Sequence, residues 1–384
     1  MMRRQAGRRR RKAAPRRARV DPGHVMVGTS PIAIADLEGL VEAWNARRLV
    51  LFLGAGVSFE WGIPGWKNLV VELLFEQTAE ASRLSAVLPH YRRALAEWVT
   101  DYFDYDPVVL ARVIKTDVRR RHARKGAPDE EADRVFRERV RERLYAAYHQ
   151  IRQRPQARPV TTLGAVADLV KRAAGRGHVQ AVVTFNFDDL LERALQQRRV
   201  RHHVIHDGAR ATGAGIPVIH PHGFLPLTKP PSADIVFTED DYHRLTDSVF
   251  HWAPTRIVHL LRSATALFVG LSMSDPNLRR LLDASHRAGD SPPHWQIQKR
   301  HVVRDHERGL VRARVEERAR HHAQVMRQPE TKDTAELETA IDAVLRQADA
   351  YDRELFSTMG VRTIWLEEFT DLPDLLGRIG RGAR

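Results

Sequence analysis

The sequence predicts an α/β fold, a doubly wound parallel sheet that carries a helical insertion. Three observations lead there. Apolar, β-branched runs at 49–53, 179–184, 264–269 and 361–366 lack the alternation of a half-exposed strand and are short for helices, which fits strands covered on both faces. Amphipathic helical patterns separate most of these runs, the order expected of a parallel sheet. The stretch from about 67 to 175 shows no clear strand and reads as helices inserted between the first strand and the next sheet element.

Residues 1–30 read as a basic tail and 31–384 as the α/β domain. Residues 1–20 hold nine Arg, one Lys and no acid, so most of the net charge of +14 sits there. Like charges at that density repel one another and cannot be buried, which predicts disorder in isolation. Such a tail suits contact with nucleic acid or an acidic partner. A solvated arm, or a translation start at Met26, is the plainer reading of the same residues.

After the tail, residues 34–48 place Leu37, Leu40, Val41 and Trp44 on one helical face. The first strand, 49–53, ends in Gly54-Ala55-Gly56, and a helix resumes at about 66–75. Within the insertion, residues 132–150 align Val135, Val140, Leu144 and Ala147, with breaks at 126–128 and 155–159. Strands are expected at 179–184, 218–220, 235–237, 264–269, 301–304 and 361–366. Helices are expected at 188–197, 242–262 (broken near Pro254), 276–288, 335–355 and 372–379. Asp275-Pro276-Asn277 reads as a helix start, with Asp275 as N-cap and Pro276 at the first position.

Composition removes several classes of function. The chain has no Cys, which excludes disulfides, Cys-ligated zinc, iron–sulfur clusters and cysteine nucleophiles. The longest apolar stretch, around 49–57, falls far short of the roughly 18–20 residues of a membrane span. No apolar segment follows the basic N-terminus as in a secretory signal, so a soluble, cytoplasmic protein is expected. His202, His203, His206 and Asp207 are metal-ligand types, but so tight a cluster near a loop fits a solvent-facing group better. Ser272 and Ser274, in GLSMS, do not form a GxSxG nucleophile elbow. The Arg-rich faces at 118–124 and 312–320 read as solvated or intersubunit surfaces.

Gly54 and Gly56 let the chain turn sharply and let a pyrophosphate approach without a Cβ in the way. A following helix N-terminus would add N–H donors, and Ser58 a hydroxyl. The third glycine of the dinucleotide fingerprint is missing, Phe59 standing there, and no P-loop lysine follows. Alone, the segment is equally a tight strand–helix turn.

Residues further along narrow the choice. GAGVS at 54–58, followed by Gly62-Ile63-Pro64-Gly65-Trp66, resembles the opening of the sirtuin family. Thr184-Phe185-Asn186-Phe187-Asp188 resembles that family's Thr-x-Asn-x-Asp motif, His222-Gly223 its His-Gly motif, and Gly270-Leu271-Ser272 a later Gly-x-Ser. The four motifs keep the family order over roughly 49–280, each at the carboxyl end of an expected strand. The resemblance implies a Rossmann-like, sirtuin-like fold that binds NAD.

The departures are as informative. Protein-deacylating sirtuins carry paired Cys-x-x-Cys motifs for structural zinc, which this chain cannot form, so no zinc is expected. Gly65-Trp66-Lys67 stands where deacylases read Asp-Phe-Arg, and the long insertion is unlike them. These features resemble the sirtuin-like NAD hydrolases of bacterial anti-phage defence. That likeness implies cleavage of NAD+ to nicotinamide and ADP-ribose, a homo-oligomer, and a separately encoded partner such as a HerA-type ATPase or an Argonaute-like protein. By resemblance, Gly54, Ala55, Gly56 and Ser58 hold phosphates, and Ile63, Pro64 and Trp66 wall the nicotinamide side. Thr184 belongs to the Asn motif, and Gly270 and Ser272 contact the adenosine side. Asn186 would position the ribose and water, His222 would act as base, and Asp188 would order the Asn186 loop or approach the nicotinamide amide. His220 competes with His222, which the Gly after it favours. An NAD-dependent protein deacylase and a non-catalytic NAD- or ADP-ribose-binding module remain alternatives.

Overall fold

A computed structural model describes residues 24–27, 30–77, 98, 106–152, 161–208, 213–231, 233–247, 251–303, 305–327 and 335–382. Residues 1–23, which hold the Arg-rich run of the expected tail, lie outside these. The tail expected at 1–30 overlaps a short antiparallel hairpin, β1 (His24–Val27) with β2 (Ser30–Ala33).

The body of the protein is a seven-stranded parallel sheet. Its strands are β3 (Leu49–Leu53), β4 (Val179–Thr184), β5 (His202–Ile205), β6 (Ile216–Ile219), β7 (Thr265–Val269), β8 (His294–Lys299) and β9 (Val361–Leu366). They lie in the order β5-β6-β4-β3-β7-β8-β9, every neighbouring pair parallel. Side chains alternate between two cores. Leu49, Leu51 and Leu53 of β3 enter one, while Val50 and Phe52 enter the other. Both faces of β3 are closed, which is why its sequence is apolar without interruption.

Helices cover each face. On one side α1 (Ile34–Asn45), α6 (Thr162–Ala173), α7 (Leu190–Gln197) and α13 (Leu372–Arg381) form a layer; on the other lie α9 (Trp252–Ser263) and α10 (Pro276–Arg287). Between β3 and β4 run α2 (Trp66–Gln77), α3 (Pro107–Ala123), α4 (Asp129–Leu144) and the short α5 (Tyr148–Arg152) ahead of α6, with no strand among the described residues there. The long α11 (Asp305–Met326) and α12 (Ala335–Ser357) separate β8 from β9. No helix among the described residues is long and apolar enough to cross a membrane.

Four expectations need correction. The strand expected at 301–304 is absent at 301–303, where Val302 is 53% exposed, and residue 304 is not described. The strand is His294–Lys299 instead, its polar Gln296 hidden by a 2.8 Å hydrogen bond from Nε2 to Thr363 Oγ1. Residues 235–237 form no strand either. Ile235 and Phe237 are apolar because they plug the core as a loop, Phe237 meeting the rings of Trp66, Phe136 and Phe187. The helix expected over 242–262 is two helices, α8 (Glu239–Asp247) and α9, and Pro254 sits in the first turn of α9 rather than at the break. The histidines at 202 and 203, expected to face solvent near a loop, are half-buried in the edge strand β5, and both ring nitrogens of His203 are hidden from solvent.

Candidate functional site

Chain direction across the sheet reverses at β3. The chain passes from β3 to β4 on one side and later returns to β7 on the other. In open α/β sheets the carboxyl ends flanking such a reversal form the ligand crevice. Four of the motif segments lie there: 54–58 after β3, 184–188 after β4, 220–223 after β6 and 270–275 after β7.

The first and last of these interlock. Gly54 N–H donates to Val269 O at 3.1 Å and Gly56 N–H to Gly270 O at 2.9 Å. A Cβ on Gly56 would stand 2.8 Å from Gly270 Cα. One on Gly270, whose φ is +64°, would stand 2.7 Å from Val57 N. These glycines therefore serve close approach between two loops, in addition to the room for a ligand that the sequence implied.

The expected helix N-terminus does not follow them directly. Two single turns of 3₁₀ helix, Ala55–Val57 and Phe59–Trp61, precede α2. The N–H groups of Gly54, Gly56, Val57 and Ser58 are engaged by backbone carbonyls. A phosphate would find few backbone donors here in this conformation, and the hydroxyl and side-chain amide groups nearby matter more.

Those groups form one connected set. Asn186 Nδ2 donates to Gly54 O at 3.1 Å and lies 3.3 Å from Ser58 Oγ, while Asn186 N–H donates to Thr184 Oγ1 at 3.2 Å. Ser58 Oγ donates to Asp188 Oδ1 at 3.3 Å, and the same oxygen accepts Leu190 N–H at 3.1 Å. Asp188 Oδ2 is buried with no hydrogen-bond partner among the described residues. Burial, with nearby Glu192 adding to it, pushes the Asp188 carboxyl up to about 6, against the Leu190 N–H, the Ser58 hydroxyl and His220.

His220 and His222 are separated by this geometry. His220 is fully buried and has both ring nitrogens engaged. Nδ1–H donates to Asn186 O at 2.9 Å, since a carbonyl can only accept, and Nε2 meets Glu192 Oε1 at 2.8 Å. It props the Asn186 loop. His222 has no such pair of bonds. Its ring lies edge-on to Phe185 and Tyr242, and Nε2 stands 3.6 Å from Asp275 Oδ2. Burial pushes the His222 imidazole below its ordinary range, and the Asp275 charge opposes this.

The nicotinamide-side residues divide likewise. Ile63 is buried in the core beneath the sheet's ends, Pro64 is half-buried, and Trp66 packs on Phe237 with its Nε1 unpartnered among the described residues. Ser272 is exposed and shares a 2.6 Å hydrogen bond with Ser274. Glu192, Tyr242 and Asp275 complete the set. Asp275 appeared in the sequence only as a helix cap, and the other two carried no separate signal. No group of three or more His, Cys, Asp or Glu among the described residues is arranged to hold a metal.

Residues 180–320 match the SIR2-like domain. The matched segment runs from β4 into α11 and contains Asn186, Asp188, His220, His222, Gly270 and Asp275, while the glycine loop after β3 lies outside it. No curated protein gives a significant match. Among solved structures, a Sir2 in complex with the inhibitor EX-527, 2'-O-acetyl-ADP-ribose and deacetylated p53 peptide is 15% identical, over 67% of this chain and 84% of that one, with a TM-score of 0.29. A mutant of a Sir2 homologue in complex with ADP ribose is 18% identical, over 69% and 84%, with a TM-score of 0.29.

Proposed function

We propose that this protein is an NAD+ glycohydrolase, releasing nicotinamide and ADP-ribose, that serves as an anti-phage effector by depleting NAD+ when activated. The observation that carries the reading is the Asn186–Ser58–Asp188 set at the reversal point of the sheet, with His222 at the end of β6. An amide, a hydroxyl and a buried carboxyl with one unpartnered oxygen suit a ligand that presents ribose hydroxyls and a carboxamide. The SIR2-like match over 180–320 and the absence of cysteines for a zinc module support the same reading.

Breaking the N-glycosidic bond develops oxocarbenium character at the ribose, the electron pair leaving with nicotinamide. Asn186 would hold the ribose hydroxyls and Asp188 the carboxamide. His222, kept neutral by burial, would take a proton from the attacking water as it adds to the anomeric carbon. Gly54, Ala55, Gly56 and Ser58 would face the pyrophosphate, with Gly270 and Ser272 toward the adenosine. Homo-oligomers, and a separately encoded HerA-type ATPase or Argonaute-like sensor, belong to the same proposal.

Nicotinamide release from NAD+, with and without an added HerA-type ATPase or Argonaute-like protein, tests it. Wild type should release nicotinamide, and Asn186→Ala and His222→Ala should each lower the rate at least about 100-fold. Absence of release in both conditions would reduce the site to a binding module. Release that needs an acylated peptide would make the protein a deacylase.

A further inference from the structure

Asp275 is the N-cap of α10, and a cap uses only one of its oxygens. Oδ1 accepts Asn277 N–H at 2.8 Å. Oδ2 is buried, has no hydrogen-bond partner among the described residues, and faces His222 Nε2 at 3.6 Å. That separation is an ion-pair distance and slightly long for a hydrogen bond, as acid–base pairs often are before substrate binds. The walls around the pair are mostly uncharged. The ring of Tyr242 of α8 packs T-shaped against the imidazole, and burial together with Asp275 and Asp241 raises its phenol, which keeps it neutral. Phe185 from the end of β4 and Ala253, Pro254 and Ile257 of α9 line the same small cavity without charge. Arg280, one turn into α10, is the other charged side chain on its wall.

We propose that Asp275 is a positioning residue for His222, holding the imidazole with its proton on Nε2 and leaving the lone pair on Nδ1 to act as base. A carboxylate opposite one ring nitrogen fixes the tautomer and stabilises the imidazolium formed when the other accepts a proton. The helix cap ties this carboxylate to the first turn of α10, so the charge stays aimed without help from a second side chain. The pair stands on geometry alone; only its catalytic consequence rests on the NAD-cleavage reading.

The test uses the full chain with 15N-labelled histidine, the His222 signals being identified by their loss in His222→Gln. Asp275→Asn and Asp275→Ser both keep a good N-cap, so the fold of α10 is preserved while the charge is removed. Wild-type His222 should show the Nε2–H tautomer. Both variants should lower its pKa by about one unit, a tenfold loss of proton affinity. In nicotinamide release, kcat should fall about tenfold with KM little changed, and the acid limb should move to lower pH. An Nδ1–H tautomer in wild type, or an unmoved titration in both variants, overturns the assignment. Altered titration without any NAD+ cleavage by wild type supports the pair and sinks the NAD-cleavage reading instead. Cleavage with an unmoved titration and acid limb does the reverse.

Discussion

Asp188 shows what the site demands of a single side chain. Its carboxyl titrates at about 6 in the folded protein, whereas an unfolded chain releases that proton near 3.9. Between these values the native state holds a proton that the unfolded state has lost, so stability falls as pH rises through this window and levels off above it. Asp188→Asn removes the penalty. It should raise the melting temperature by roughly a few degrees at pH 7 and flatten its pH dependence between about 4 and 6, while weakening NAD+ binding. Melting scans from pH 4 to 8 beside a binding titration check both halves; a lower melting temperature at pH 7 would contradict the first. Gly270→Ala is a complementary case. The positive φ and the 2.7 Å approach to Val57 N predict a loss of about 1–3 kcal/mol, readable by urea denaturation. Asn186, Asp188, His220 and His222 were legible as candidates because short motifs carry them. Glu192 was not, since on an amphipathic pattern over 188–197 it passes for a solvated residue. It is buried on the inner face of α7, where His220, from just past β6, meets its carboxylate.

At the scale of elements, the sequence disclosed strands that are apolar on both faces and misjudged those that carry polar residues. β3, β4, β7 and β9 are apolar runs and were placed within a residue or so. β8 was missed because Gln296 and Gln298 break its apolar pattern, their amides being satisfied by Thr363 and Leu271 O. Helix α8 illustrates a different dependence. Asp241 accepts from Phe237 N, Thr238 N and Thr238 Oγ1 and pairs with Lys115 of α3 at 3.1 Å, both side chains nearly enclosed. Burial opposes its charge, but these donors outweigh it and hold the carboxyl below the usual range. Its stabilising effect is therefore present above about pH 4 and lost as pH falls through the lowered value. Asp241→Ala leaves Lys115 buried without its partner and should cost about 3–5 kcal/mol at pH 7. Because Tyr242 follows directly, the same variant should disturb the ring against His222. Chemical denaturation gives the first result, and a cost below about 1 kcal/mol would refute it.

For the whole molecule, the inserted helices behave as a brace rather than an appendage. Arg137 of α4 pairs with Asp234, and Arg141 donates to Leu227 O. Tyr145, just past α4, donates its hydroxyl to Leu225 O and accepts Asp189 N–H. Arg112 and Lys115 of α3 grip the start of α8. All of these contacts fall on the segment that follows His222 or the one that follows Asn186. Hydrogen exchange should therefore show 107–144 and 223–247 opening as one cooperative unit. Independent exchange of the two would argue against the brace. None of this was readable beforehand, because an Arg-rich helix signals only a polar face and says nothing of which loop it will meet.

The interlock of Gly56 with Gly270 also bears on when during folding the two loops can meet. The two glycines stand more than two hundred positions apart in the chain, yet their loops are held in close contact by hydrogen bonds between them. Closing so long a span is a late step in folding, since its entropy must be met before the contact returns anything. On the ribosome, the glycine loop emerges first and waits for β7. A nascent or truncated chain that stops before β7 lacks this contact, and the proposed site would be complete only in chains that have run past Gly270.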